Sequence, residues 1–419
     1  MAKEVSLEDV LTDSNLSEAF KAVKRNKGSA GIDGRDIKAT QQHLKQHWHQ
    51  IEAKLRSGSY SPSPVKGIYI PKASGGKRRL GIPTVQDRLI HQAVQQQLSL
   101  QFDPLFSEHS YGFRPQRSAH DAVKAAQQYV QEGKAWVIDI DLKAFFDNVN
   151  HDKLIYLIRE QVKDKGLLRL VRKILSAGIT IEGQWQATRC GTPQGSPLSP
   201  LLANIYLDPL DKELEKRGLS FCRYADDINI YVVSERSAQR VYASIVKWIA
   251  KHLKLNVNTD KSGTGRPWER QFLGYRITRE GKLSIDAKRL ERHKNRVRQL
   301  WQANQSLTSQ QLVEQWRSYL IGWCNYFSLT QVPWQLRETG GWTRRHIRKC
   351  FWLRWHNRKG RFNALKRLGA NAKQLKLASS SRGAWRIASS PTMHVVLNNN
   401  RLRYYGLVVA DDLLGASAL

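Results

Sequence analysis

Cysteine is scarce in this 419-residue chain, and its four copies, Cys190, Cys222, Cys324 and Cys350, stand far apart. No CxxC pair exists, which excludes a zinc site of the usual spacing and a disulfide framework; the four read as reduced thiols. Long apolar runs are missing too. No segment approaches the ~18 consecutive apolar residues of a membrane span, and residues 1–13 are mixed in charge without the apolar stretch of an export signal. The expectation is a cytoplasmic protein, neither secreted nor membrane-spanning. Internal repeats and low-complexity tracts are absent, so a solenoid or a flexible polar tether is not indicated. Acidic residues are in deficit: 36 Asp and Glu face 68 Lys and Arg, leaving a net charge of +32 and a pI near 10.2. Such a balance points to a polyanionic partner, nucleic acid first, although ribosome-associated and membrane-surface proteins share it.

What is present is an ordinary folding composition, 41% hydrophobic and 25% charged, in a chain too long for one core, since single cores stop growing below ~300 residues. The charge is uneven. From Asp286 onward there are 24 Lys and Arg against 6 Asp and Glu, a net of +18, and 8 of the 13 tryptophans lie there.

Periodicity places the elements. Residues 7–55 read as helices broken by the glycine-rich basic turn 27–34. Short strands at 67–72 and 79–83 flank a basic tip, 73–77, as in a hairpin. Helical pattern follows from 84 to 100, then an aromatic loop at 111–115 and a helix to 132. Residues 136–141 read as a strand, 150–177 as a helix, 191–197 as a loop, and 198–216 as a helix. Residues 221–233 form two apolar flanks around a charged turn. From about 286 the chain is helical, basic and tryptophan-rich, which marks the best domain boundary.

The chemistry is in the carboxylates. Successive strand side chains point to opposite faces, so Asp139 and Asp141 share one face of Trp136-Val137-Ile138-Asp139-Ile140-Asp141 while Ile138 and Ile140 bury the other. The second acidic site is Tyr224-Ala225-Asp226-Asp227, held between apolar strands, where a hairpin tip presents adjacent carboxylates. Clustered carboxylates repel one another unless cations neutralise them, and oxygen ligands of this kind select Mg²⁺ or Mn²⁺ over zinc. Two such ions roughly 3.5–4 Å apart would serve nucleotidyl transfer. Each acid alone would be a solvated turn or strand-end aspartate; two acidic clusters inside apolar β-runs point the other way.

Taken with Asp-Leu-Lys-Ala-Phe-Phe-Asp (141–147) and Thr-Pro-Gln-Gly-Ser-Pro-Leu-Ser-Pro (192–200), the Tyr-Ala-Asp-Asp box resembles that of bacterial group II intron-encoded reverse transcriptases. The likeness extends to Ile70-Pro71-Lys72 with residues 78–83, to residues 111–115, to Phe272-Leu273-Gly274-Tyr275 and to residues 319–327, in the family's order over nearly the whole chain. It implies an α+β right-hand polymerase: an N-terminal extension over residues 1–55, fingers and palm over 56–285, a helical thumb or maturase X domain over 286–372, and a DNA-binding extension over 373–419. It implies an RNA-directed DNA polymerase with Asp141, Asp226 and Asp227 as catalytic metal ligands for two Mg²⁺ ions, Mn²⁺ being possible, and Asp139 as a neighbour.

The resemblance also assigns a nucleotide site. Phe146 matches the aromatic that excludes a 2′-hydroxyl, while Phe145 reads as core. Lys72 and Arg78 correspond to the triphosphate-binding pair. Gln194 corresponds to the glutamine at the incoming nucleotide, with Gly195 allowing close backbone approach; Ser196 stands where many relatives have a second glycine. Lys261 matches a lysine thought to protonate or neutralise the leaving pyrophosphate, a surface lysine being the alternative. Arg114 and Arg117 fall in the motif lining the template channel, and Gly274 and Tyr275 in the hairpin gripping the primer end. In the basic tail, helical spacing puts Arg344 and Arg348 on one face with Arg345 and Lys349 beside them, a stripe suited to a phosphate backbone. Most tail tryptophans read as core anchors.

The implied partners are an RNA template with a DNA or RNA primer, dNTPs, the parent intron RNA and target DNA. The resemblance is to the endonuclease-lacking branch, so the expectation is a protein without a Cys- and His-bearing nuclease module. A domesticated reverse transcriptase in defence or repair, a polymerase-inactive splicing cofactor and a basic RNA chaperone stay open as alternatives; the last leaves the clustered acids unexplained.

Overall fold

The structure is a computed structural model that describes residues 4–71 and 75–414. Its contacts divide the chain into two compact units, Met1–Arg266 and Pro267–Leu419. Among the described residues no helix is long and apolar enough to cross a membrane.

The first unit is mixed α+β. Its N-terminal helices, Leu7–Val10, Asp13–Arg25 and Ile37–Ser57, surround the expected basic turn. The third starts on Asp36, whose side chain accepts from the Ala39 amide, and ends at Gly58 in the left-handed conformation, the usual geometry of a glycine stop. Strands β1 (Val65–Pro71) and β2 (Lys77–Ile82) form the expected antiparallel hairpin, registered from Lys66 opposite Ile82 to Pro71 opposite Lys77. β1 continues in parallel to β4 (Ile179–Ile181), which pairs with β5 (Gln184–Gln186). The other sheet runs in the order β6 (Ser220–Tyr224), β7 (Asp227–Val232), β3 (Trp136–Asp141), β8 (Gly263–Gly265), antiparallel throughout.

The core forms behind this second sheet. Ile138 and Ile140 of β3 stand opposite Ile230 and Ile228 of β7, all four fully buried. Helix Ser199–Lys216 buries Leu201, Leu202, Ile205, Tyr206 and Leu210 in the same apolar cluster. Helix Val85–Phe102 is buried on more than one side, through Leu89, Ile90, Ala93, Val94 and Leu98, as expected of an internal helix. One expected helix is two. The run 150–177 breaks into His151–Gln161 and Lys165–Leu175 because Asp164 caps the second helix, accepting from the Leu167 amide, and also accepts from the Leu7 amide 157 residues away.

The second unit opens with the hairpin β9 (Tyr275–Ile277) and β10 (Leu283–Ile285), then continues as helices, the longest being Ala287–Leu300, Ser309–Tyr326 and Pro333–Arg354. Trp301, Trp316 and Trp352 are buried among them, and Trp316 Nε1 donates to Val408 O at 2.6 Å. These large rings anchor the helices, whereas Trp334 stays exposed.

Candidate active site

The acidic residues are positioned by strand register. Asp141, the last residue of β3, stands directly opposite Asp227, the first of β7, and Asp139 stands opposite Asn229. Directly opposed residues share a face and approach to ~5 Å between Cβ atoms, so Asp141 and Asp227 meet at one end of the sheet. Asp226 adjoins them in the two-residue turn between β6 and β7, where Ala225 takes the left-handed conformation with φ 59°. The end of β3 is pinned from its other side: the Asp141 amide donates to Ser262 Oγ at 2.8 Å, and the Asn258 amide donates to Asp141 O at 2.8 Å.

The electrostatics are those of crowded anions. Burial raises the Asp226 carboxyl above the ordinary carboxylate range, the neighbouring charge of Asp141 adds to the rise, and Arg78 and Lys261 pull against it. Lys261 Nζ lies 3.5 Å from Asp141 Oδ2, so the lysine assigned to the leaving group sits at the carboxylates. Among the described residues no cluster of three or more His, Cys, Asp or Glu side chains is gathered tightly enough to hold a metal ion as they stand.

A cavity of about 650 Å³ is lined by Arg78, Phe146, Gln194, Ser196 and Phe113, among others, and the charge of its Arg78 acts on the Asp226 carboxyl. Arg78 Nε donates to Gln194 Oε1 at 2.5 Å, joining β2 to the loop before helix Ser199–Lys216, and the Gly81 amide donates to Gln194 O at 2.8 Å. Phe145 is buried and meets Phe146 edge-on at 5.2 Å between ring centres, while Phe146 is half-buried and borders the cavity. The backbone of Phe146 is fixed by the Thr192 amide, which donates to its carbonyl at 2.7 Å. Ser196 Oγ lies 2.9 Å from Nδ1 of the buried His91, whose imidazole is pushed down to about 3 by burial. A hydroxyl is therefore used where a second glycine was the comparison. Lys72 lies outside the described residues.

The structure gives several of the residues read from the sequence as nucleic-acid contacts partners within the protein. Arg114 is buried; its guanidinium donates to Asp103 Oδ1 at 2.8 Å and to the carbonyls of Ser107, Ser110 and Asp103, holding its own loop together. Arg117 pairs with Glu108 and donates to its carbonyl. Tyr275 is buried in the second unit, with its hydroxyl donating to Tyr326 O, and Gly274 turns the chain with φ 85° against the Arg289 side chain. Of the stripe on Pro333–Arg354, Arg344 and Arg348 face inward while Arg345 and Lys349 are half-buried. Arg344 is buried and pairs with Asp412 at 2.7 Å, Arg348 is buried and donates to Leu397 O and Asn399 Oδ1, and Arg345 donates to Trp385 O while lying 4.0 Å over the Trp385 ring. A buried guanidinium whose donors are taken by protein acceptors cannot follow a phosphate backbone.

An outward cationic stripe exists on a different helix. Lys288, Arg292 and Arg296 recur every four residues along Ala287–Leu300, and all three are exposed. The four-residue spacing is visible in the sequence. A second missed feature is the ion pair of Arg79 with Asp147, between β2 and the residue after Phe146. No local pattern marks that partner.

Comparison with known proteins gives the same picture. Residues 70–277 match the family model described as reverse transcriptase (RNA-dependent DNA polymerase), and residues 290–369 match that of the group II intron maturase-specific domain. The chain is 44% identical over 175 residues to the group II intron-encoded protein LtrA of Lactococcus lactis subsp. cremoris, covering 42% of this chain and 29% of LtrA. It is 31% identical over 308 residues to protein YkfC of Escherichia coli strain K12, covering 63% of this chain and 80% of YkfC. Among solved structures, a partial Cas6-RT-Cas1–Cas2 complex aligns with 26% identity over 60% of this chain and 42% of that one, at a TM-score of 0.37. With an acidic strand end set against a Tyr-Ala-Asp-Asp turn, and both family models matched in sequence order, this chain belongs to the group II intron-encoded reverse transcriptase and maturase family.

Proposed function

We propose that the chain is an RNA-directed DNA polymerase that extends a DNA or RNA primer on an RNA template with dNTPs, and that it also serves as a maturase assisting the splicing and mobility of a group II intron RNA, with target DNA as a further partner. The observation that carries this reading is the register pairing of Asp141 with Asp227, together with a cavity bordered by Phe146, Gln194 and the Arg78 whose charge acts on Asp226. The names of relatives such as LtrA support the intron partner.

Reverse transcriptase domains use divalent metal ions, and the residues here fit that requirement. Asp226 carries a half-buried carboxyl raised by desolvation and further by Asp141, an arrangement that added positive charge relieves. Oxygen donors from three aspartates suit Mg²⁺, with Mn²⁺ as a substitute, and we assign Asp141, Asp226 and Asp227 as the residues that would hold two ions. When bound, such a pair supplies the charge that favours an attacking 3′-oxygen and a departing pyrophosphate. Arg78, with Lys72, binds the triphosphate; Gln194 contacts the incoming nucleotide; Phe146 closes the space a 2′-hydroxyl would need. Lys261 holds a proton for the leaving group and, until substrate enters, neutralises Asp141.

Primer extension on an RNA template tests this, comparing the unaltered chain with Asp226→Asn/Asp227→Asn. Mg²⁺-dependent cDNA synthesis is expected, and the double substitution should abolish it. Synthesis surviving in that variant would contradict the site.

A further inference from the structure

Behind the Tyr224–Asp227 turn lies a fully buried ion pair that none of the assignments above uses. Arg223 precedes the turn on β6, opposite Ile228 of β7, so its side chain leaves the sheet on the apolar face, away from the carboxylates. It enters helix Ser199–Lys216 at Asp211, with Nε 2.7 Å from Oδ1 and Nη2 2.5 Å from Oδ2. Both residues have no exposed surface.

Every donor of this guanidinium has an acceptor. Nε and one Nη2 hydrogen go to Asp211, the other Nη2 hydrogen to Ser110 Oγ at 2.7 Å, and the two on Nη1 to Asn204 Oδ1 at 2.9 Å and Ala225 O at 3.1 Å. The last of these matters most, because Ala225 is the left-handed residue immediately before the acidic pair. From the other side, Gly112 lies so close that a Cβ on it would sit 2.3 Å from the Ala225 nitrogen, and Gly112 is itself held by Asn204 Nδ2, which donates to its carbonyl at 2.9 Å. The turn is thus clamped between a guanidinium and a glycine, and Asn204 ties the two.

A planar five-donor fork suits this task, whereas a lysine could reach only part of the set. A left-handed alanine persists only where its surroundings over-determine it. We propose that Arg223, locked by Asp211 and Asn204, is a positioning residue that fixes the Ala225 turn and so sets Asp226 and Asp227 against Asp141. The proposal rests on the polymerase reading for its catalytic consequence, but not for its structural one.

The test uses the full chain with the pair replaced by apolar residues, Arg223→Met/Asp211→Leu, since exchanging a buried ion pair for packed hydrophobic side chains tends to preserve folding. Amide hydrogen exchange at residues 225–228 is expected to accelerate about tenfold or more, with the rest of the sheet unchanged. Mn²⁺ binding, followed by electron paramagnetic resonance, should weaken about fivefold, and kcat for primer extension should fall about 30-fold or more while the KM for dNTP moves less than about threefold. Arg223→Lys should recover part of each effect. Unchanged exchange in the folded double variant overturns the proposal, whatever the activity. If the unaltered chain makes no cDNA, the polymerase reading fails while the exchange comparison still decides the positioning role. Should the double variant not fold, Asn204→Leu decides: about threefold faster exchange at 225–228 supports the clamp, and unaltered exchange overturns it.

Discussion

Arg79 Nη2 lies 3.0 Å from Asp147 Oδ1, tying the second strand of the basic hairpin to the segment that carries Phe146. Both side chains are more than a third exposed, so the pair itself contributes only ~0–1 kcal/mol. Its effect is expected in the nucleotide site. Asp147→Ala should leave stability within about 1 kcal/mol in denaturant unfolding, yet raise the KM for dNTP about three- to tenfold. A stability loss without a KM change would make the pair merely structural.

Phe146 is held by the Thr192 amide on its carbonyl and by the edge of Phe145 on its ring, leaving one side to the cavity. Phe146→Ala should lower the preference for dNTP over rNTP, measured as a ratio of kcat/KM, by about tenfold or more. Phe145→Ala, which opens the core, should instead destabilise the protein by about 3–5 kcal/mol. Unaltered sugar selectivity in Phe146→Ala would remove the steric assignment.

The exposed stripe Lys288, Arg292 and Arg296 is expected to contact phosphates. Replacing all three by Gln should reduce the slope of log K against log salt for RNA binding by about 2–3, with similar losses on unrelated sequences. An unchanged slope places the interface elsewhere.

Arg344 makes the opposite case. Its partner Asp412 also accepts from Arg403, so removing Arg344 leaves a buried carboxylate with one cation in place of two. Arg344→Ala should cost about 3 kcal/mol in unfolding while leaving the salt slope of RNA binding unaltered. A change in slope with intact stability would return the residue to the interface.

Acid should weaken the second unit. His293 is pushed down to about 4 by burial, with Lys294 adding to it, and His346 also falls to about 4 through burial and nearby cations. Both folded-state values lie below the ordinary 6.5, so the unfolded chain binds more protons between those limits. The stabilising contribution is complete above about pH 6.5 and is lost as pH falls through about 4. In His293→Asn the dependence of unfolding free energy on pH across this window should flatten; an identical slope would show that the imidazole does not couple to folding.

The sequence alone determined what depends on near neighbours. Alternation in residues 136–141 set Asp139 and Asp141 on one strand face, the turn chemistry of Tyr224-Ala225-Asp226-Asp227 set the hairpin, and the two short strand patterns read at 67–72 and 79–83 anticipated the pairing of β1 with β2. Period and turn preference act over a few residues, so they are legible wherever the pattern is clean. They fail where one side chain ends a helix, as Asp164 does inside an otherwise continuous helical pattern.

Only the tertiary structure decided the fate of the arginines. Arg114, Arg344 and Arg348 carry the same charge as Lys288 and Arg292, and helical spacing treats Arg344 and Arg348 like Lys288 and Arg292. What separates them is the counter-charge or carbonyl brought up by distant chain: Asp412 lies 68 residues beyond Arg344, and Leu397 lies 49 beyond Arg348. The meeting of Asp141 with Asp227 and of Arg223 with Ser110, 113 residues away, has the same origin. A charge declares its need for a partner locally, but desolvation and pairing energies are fixed by whichever segments the fold packs against it, and one-dimensional order does not encode that choice residue by residue.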